Sequence, residues 1–134
     1  MREGNGLRVL LIIPAYNEED NILRVVQRVR EYRKTCPWRL DYVVINDGST
    51  DATEQVCLEN GIHHIRLLQN LGIGGAVQTG YLYAWQKGYD IAVQFDGDGQ
   101  HDLNSLPQLL APVGRGDCDF CVGSRFLDKS SAFQ

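Results

Sequence analysis

The sequence predicts an α/β protein built on a mostly parallel sheet with helices on both faces. Short aliphatic runs alternate with longer stretches whose apolar residues recur at helical spacing. The short runs are unbroken rather than alternating, as in strands buried on both faces. Polar and glycine-containing clusters follow them, where strand must turn into helix.

Each element can be justified in order. Residues 8–14 form an aliphatic strand closed by Pro14, and residues 19–32 a helix with Ile22, Val25, Val26, Val29 and Tyr32 on one face. Residues 40–45 are the second strand, followed by the turn cluster Asn46-Asp47-Gly48-Ser49 and a helix through Asn60 with Gly61 in the stop position. Residues 63–68 are the third strand. A glycine-rich stretch, Gly72-Ile73-Gly74-Gly75, then opens a helix ending at Lys87-Gly88. Residues 91–95, 103–110 and 120–124 complete the pattern as strand, short helix and strand.

The 134 residues are expected to form one domain, and a 43% hydrophobic, 22% charged composition belongs to a folded chain. The net charge of −4, with no basic run beyond the mixed 28–34 segment, argues against nucleic acid as a partner. The longest apolar run, 9–13, is too short to cross a bilayer, and residues 1–7 lead into no signal-peptide core, so a cytoplasmic location is expected. Cys118 and Cys121 have C-x-x-C spacing, but they fall where a strand would point them to opposite faces. With no second such pair to complete a zinc site, Cys118 and Cys121 read as buried structural thiols and not as a zinc or redox site.

In an open parallel sheet, ligands bind beyond the carboxyl ends of the strands. Those ends here carry Pro14 to Glu19, Asn46 to Asp51, Asn70 to Gly75, Asp96 to Asp102, and Gly123-Ser124-Arg125. Asp96-Gly97-Asp98 is the sharpest element, since two carboxylates so close repel unless a cation sits between or beside them. Mg²⁺ or Mn²⁺ would suit oxygen ligands there, with Gln100 adding a carbonyl. A helix cap alone would need only Asp102 or Asn104. Asp47 fits either of two roles: closing a turn, or accepting a hydrogen bond from a base N–H. Gly72 to Gly75 lacks a third glycine at Val77 for a dinucleotide fingerprint, and close helix–sheet packing is its expected job. His63 and His64 are expected to be structural, whereas His101 fits either a ligand or a loop residue.

Taken together, these pieces resemble family 2 glycosyltransferases, inverting enzymes with the GT-A fold. The matching runs are Ile12-Ile13-Pro14-Ala15-Tyr16-Asn17-Glu18-Glu19, Asn46-Asp47-Gly48-Ser49-Thr50-Asp51, Asn70-Leu71-Gly72 through Ala76 and Gly80, Asp96-Gly97-Asp98-Gly99-Gln100-His101, and Gly123-Ser124-Arg125. They occur in the family's order across nearly the whole chain. The Asp-x-Asp-x-Gln-His form is most similar to dolichyl- and polyprenyl-phosphate hexose synthases.

The resemblance implies transfer of a hexosyl group from a UDP- or GDP-linked sugar to a polyprenyl phosphate or a growing glycan, at the inner face of a membrane. It implies that Pro14, Tyr16 and Glu18 line the nucleoside pocket and that Asp47 bonds the base. Asp96 would lie against the ribose and diphosphate, Asp98 and Gln100 would bind Mg²⁺ or Mn²⁺, and Arg125 would offset phosphate charge. Asp96, Asp98 and Arg125 are thereby the expected catalytic residues. Family domains continue past the Gly-Ser-Arg strand into acceptor-binding structure, so the chain is expected to lack that part. It is then expected to transfer sugar poorly alone, and to self-associate as a homo-oligomer through apolar surface left bare. A non-catalytic nucleotide-binding module is the alternative. A haloacid-dehalogenase-type phosphohydrolase ranks lower, because its Asp-x-Asp motif ends the first core strand and continues into Thr or Val, not Gln100.

Overall fold

The structure is a computed structural model that describes residues 7–95 and the backbone of residues 121–123. Its elements run β1 (Arg8–Ala15), α1 (Ile22–Arg33), β2 (Arg39–Asp47), α2 (Thr53–Glu59), β3 (His64–Leu67), α3 (Gly72–Gln86), β4 (Ile91–Gln94) and β5 (Cys121–Gly123). The expected helix over 103–110 lies outside the described residues. The strands form one sheet in the order β3-β2-β1-β4-β5, and every described pairing is parallel. The order reverses direction between β1 and β4, which makes their carboxyl ends the topological switch point.

The aliphatic run of β1 is unbroken because both of its faces are covered. Leu7, Val9, Leu11, Ile13 and Ala15 pack with Ile22, Val25, Val26 and Val29 of α1. Leu10 and Ile12 point the other way, onto Ala76 and Ala84 of α3. β2 divides in the same fashion, with Tyr42 and Val44 on the α1 face and Val43 and Ile45 on the α3 face. The edge strand β3 departs from this pattern, since no residue of it is fully buried.

Pro14 occupies a central strand only near its carboxyl end. In a parallel strand the N–H and C=O of one residue point to the same side, and Ile12 directs its carbonyl at the Phe95 N–H on the β4 side. Pro14 shares that parity, so the donor it lacks is one that would have faced Phe95, at the last rung of the described β1–β4 pairing.

Close approach of α3 to the sheet is the work of Gly80, not of the glycine-rich stretch at its start. A Cβ on Gly80 would lie 2.3 Å from Ile12 Cγ2, whereas one on Gly74 would meet nothing within 4 Å. The expected packing role of Gly72 to Gly75 is thereby corrected. Gly72 instead starts the helix from a φ of 86°, a conformation that favours glycine.

At the amino ends of the strands, Tyr89 donates to Asp41 at 2.7 Å under the Arg8 guanidinium. An opening of about 330 Å³ lies there, lined by Arg30, Arg33, Asp41 and Tyr83 among others, on the rim opposite the strand ends that carry the motifs. Among the described residues no helix is long and apolar enough to cross a membrane.

Candidate functional site

The loops leaving β1 and β2 are stitched together by reciprocal hydrogen bonds from backbone amides. The Asn17 amide donates to Ser49 Oγ at 2.9 Å, that of Glu18 to Thr53 Oγ1 at 2.9 Å, and that of Glu19 to Asp51 Oδ2 at 3.2 Å. In return, Thr50 and Asp51 donate their amides to Asn17 Oδ1 at 2.8 and 3.2 Å, and Ala52 donates to Glu19 Oε1 at 2.7 Å. Asn17 reaches this position with a φ of 55°, a left-handed conformation that asparagine tolerates better than most residues.

The stitching also explains why α1 begins at Ile22 and not at the expected position 19. The amides from Asn17 to Glu19 are committed to side chains of the neighbouring loop, and Glu18 O accepts the first turn's bonds from Asn21 and Ile22. Asp51 has a second task. Its Oδ1 accepts the Thr53 amide at 2.8 Å and also the Thr53 hydroxyl. Burial raises the Asp51 carboxyl, but the bonds from Thr53 and Glu19 outweigh it and hold the group below its ordinary value.

Asp47 does not close its own turn, which sets aside the turn-former alternative. The turn is closed by Asn46, whose Oδ1 accepts the Ser49 amide at 3.3 Å. Asp47 is 3% exposed and reaches the next loop. Its Oδ1 accepts the Leu71 amide at 2.7 Å, and its Oδ2 accepts Asn70 Nδ2 at 3.1 Å. A carboxylate has about four acceptor sites, so acceptor capacity remains on Asp47, which also lines the neighbouring cleft. Gly48 lets this loop come close, since a Cβ there would sit 2.4 Å from the Asn70 amide nitrogen.

These loops enclose an open cleft of about 260 Å³, lined by Pro14, Ala15, Tyr16, Glu18, Asp47, Asn70, Gly72 and Ile73. Pro14, Tyr16, Glu18 and Asp47, separated by up to thirty-odd positions in sequence, therefore face one space. Tyr16 stands 45% exposed at its edge. Asp96, Asp98, Gln100, His101 and Arg125 lie outside the described residues. The backbone is placed up to Phe95, whose amide donates to Ile12 O at 2.8 Å beside the end of β1. Asn17 and Thr53 are contributors that residue-type reasoning assigned no role, and Asp51, which residue type made a candidate cap of the following helix, also joins the two loops. Their signal was an asparagine next to paired glutamates, facing a Ser-Thr-Asp-x-Thr run rich in short polar side chains.

A profile of Glycosyl transferase family 2 matches residues 10–134. The chain belongs to glycosyl transferase family 2. Among its relatives, a polyprenol monophosphomannose synthase of Mycolicibacterium smegmatis is 33% identical over 126 residues, covering 90% of this chain and 46% of the relative. A UDP-N-acetylglucosamine–dolichyl-phosphate N-acetylglucosaminyltransferase of Methanococcus voltae is 34% identical over 134 residues, covering 87% and 51%. The chain thus spans about half the length of the curated relatives it matches.

Glucosyl-3-phosphoglycerate synthase of Mycobacterium tuberculosis, solved with UDP, superposes with a TM-score of 0.64 at 24% identity, over 84% of this chain and 42% of that one. The same enzyme solved with Mn²⁺ and UDP-glucose gives a TM-score of 0.63 at 23% identity, over 84% and 41%. The family 2 chain therefore has the GT-A fold expected of it.

Proposed function

We propose that this chain forms the donor side of a metal-dependent, inverting hexosyltransferase that takes a UDP- or GDP-linked sugar and passes the hexose to a polyprenyl phosphate. The observation that carries this reading is the convergence of Pro14, Tyr16, Glu18 and Asp47 on one cleft at the carboxyl ends of β1 and β2. In this reading Pro14 and the exposed Tyr16 ring flank the base, and Asp47 accepts a base N–H with its remaining capacity. A charged bond of that kind contributes about 1.5–3 kcal/mol.

Asp96 then lies against ribose and diphosphate, Asp98 and Gln100 hold Mg²⁺ or Mn²⁺, and Arg125 offsets phosphate charge. The donor set is all oxygen, which suits a hard divalent ion. Among the described residues no group of three or more His, Cys, Asp or Glu side chains could hold one. When bound, the ion neutralises charge that grows on the departing nucleoside diphosphate. An acceptor phosphate oxygen bonds to the anomeric carbon from the face opposite the diphosphate. The anomeric C–O bond breaks and its electron pair leaves on the diphosphate, which inverts the carbon. A phosphate acceptor is already anionic, so the step needs no general base. The polyprenol and dolichyl phosphate named for the relatives support this acceptor class and a membrane surface as the workplace.

The test is calorimetric titration of the chain with UDP and GDP, in Mn²⁺ and in EDTA. Binding is expected only with the metal, and Asp98→Ala is expected to abolish it without lowering the melting temperature. Equal affinity in EDTA and in Mn²⁺ would overturn the metal assignment. Transfer of labelled hexose to free sugars but not to polyprenyl phosphate would overturn the acceptor.

A further inference from the structure

The opening at the amino ends of the strands takes no part in the transfer chemistry above, yet its walls are built from polar groups. Arg30 and Arg33 come from the last turn of α1, Asp41 and Tyr42 from the start of β2, His63 from the approach to β3, and Tyr83 from α3. Hydrogen-bond donors outnumber acceptors among them. Arg30 uses only Nη2, on Tyr42 Oη at 3.2 Å and on the Asn60 and Gly61 carbonyls at 3.3 and 3.2 Å. Those acceptors are neutral, and among the described residues no carboxylate comes within ion-pair reach of this guanidinium. A guanidinium carries five donors, so those on Nη1 and Nε remain.

Tyr42 is 6% exposed, and its hydroxyl accepts both Arg30 Nη2 and the His63 amide, each at 3.2 Å. A phenol also has a hydrogen to give, and among the described residues no group takes it. Leaving a buried donor unmet is costly, so an acceptor in the opening would be favoured. His63 Nε2 lies 2.8 Å from Tyr83 Oη. Whichever of that pair donates, one hydrogen is left over: the Tyr83 hydroxyl in one case, His63 Nδ1–H in the other.

Charge points the same way. The half-exposed Arg33 stands 3.8 Å from Asp41, which also accepts Tyr89 at 2.7 Å. Asp41 is the one carboxylate among the lining residues, against two guanidiniums. Two further cations lie over the tyrosine rings, Arg8 4.5 Å from the Tyr89 centroid and Lys87 5.9 Å from that of Tyr83. Asp90, on the same rim, accepts the Arg8 backbone amide at 2.8 Å. A chain of net charge −4 thus keeps a local excess of cations here.

We propose that this opening is a second binding site, for the phosphate group of a phosphomonoester, with Arg30 and Arg33 supplying charge and Tyr42 a buried hydrogen bond. A tetrahedral oxyanion accepts from several directions at once, which suits donors contributed by α1, β2 and α3, and guanidinium forks match phosphate oxygens. At about 330 Å³ the opening has room for the phosphate and a small part of its carrier. The site lies on the opposite rim from the cleft that Asp47 lines, so it does not rest on the nucleotide reading.

The test is amide NMR of the 134-residue chain in EDTA, titrated with sodium phosphate and, at matched ionic strength, with sodium chloride. Phosphate is expected to move the signals of Arg30, Tyr42, Gly61 and Tyr83 to saturation, and chloride is not. Arg33→Gln is expected to weaken phosphate about threefold to tenfold and Asp41→Asn to strengthen it by the same factor, the scale of one charge nearby in an open pocket. Arginines that only close the ends of α1 and α2 would give no gain on Asp41→Asn. Equal responses to the two salts, shifts confined to Gly72 and Ile73 of the other cleft, or no gain in Asp41→Asn overturn the proposal. The comparison of salts on the unaltered chain decides it even where a variant fails to fold. Co-sedimentation with phosphatidylcholine vesicles, with and without phosphatidic acid, then identifies the source. Binding that needs phosphatidic acid and is lost in Arg33→Gln assigns a lipid headgroup; phosphate binding without it assigns a soluble phosphomonoester.

Discussion

Gly48 carries more of the site than its size indicates. It follows Asp47 with a φ of 68°, and the space a Cβ would need is filled by the backbone of Gln69 and Asn70 at 2.4–2.5 Å. Backbone cannot step aside as a flexible side chain can. Gly48→Ala is therefore expected to cost about 1–3 kcal/mol of stability, from strain and displacement of the loop. Because the displaced loop is the one Asp47 holds, the variant is also expected to lose nucleoside-diphosphate affinity. Urea denaturation and calorimetry on the same preparation check both; unchanged stability would mean the loop approach is looser than 2.4 Å implies. Asn17 is the counterpart on the other loop, where left-handed backbone and a carbonyl-bearing side chain are needed in one residue.

At the scale of elements, α3 shows how one position decides the seat of a helix. Gly80 brings the helix axis against Ile12 of β1, whose side chain is wholly buried and has nowhere to move. Alanine at this position gains about 1 kcal/mol in helix propensity but overpacks the contact by about 1–3 kcal/mol. Gly80→Ala is accordingly expected to lower stability by about 1 kcal/mol net. Gly74→Ala, where nothing lies within 4 Å, is expected to raise it by up to about 1 kcal/mol. Thermal melting of the two variants side by side checks the contrast, and two equal shifts would show that packing does not separate the glycines. The amino-terminal loops behave as a single element in the same sense. The loops leading into α1 and α2 are joined by hydrogen bonds from backbone amides exchanged in both directions.

For the molecule as a whole, these interloop carboxylates link folding to pH. Asp51 and Glu54 both ionise below their ordinary values of 3.8 and 4.5 in the folded chain. A carboxyl whose folded value is depressed contributes stability that is present above its unfolded value and lost as pH falls through the folded one. The melting temperature is therefore expected to be flat near neutrality and to fall as pH drops below about 4.5. The Asp51→Asn, Glu54→Gln double variant is expected to start lower and fall less steeply. An acid limb of equal slope in both proteins would show that these groups do not drive it. The strand order β3-β2-β1-β4-β5 places both loops on the same rim as the end of β4, so acid loosening and loss of the cleft are expected to coincide.

The alternation of aliphatic runs and helical spacing was enough to determine the α/β class, the element order and the strand ends on which the motifs sit. Burial on both faces leaves so plain a mark on composition that no tertiary information was needed for β1, β2 or β4. The motif order likewise pointed to the family and to Pro14, Tyr16, Glu18 and Asp47. The exchange of bonds between Asn17–Glu19 and Ser49–Thr53 was decided only in three dimensions, because it joins residues more than thirty positions apart. The same holds for the start of α1, whose first amides are diverted to another loop, and for the division of labour between Asn46 and Asp47. Residue type makes either of those neighbours a turn former. The pleat of β2 directs Asn46 toward Glu54 of α2 and Asp47 toward the loop before α3, and a facing direction is set by the sheet rather than by the residue.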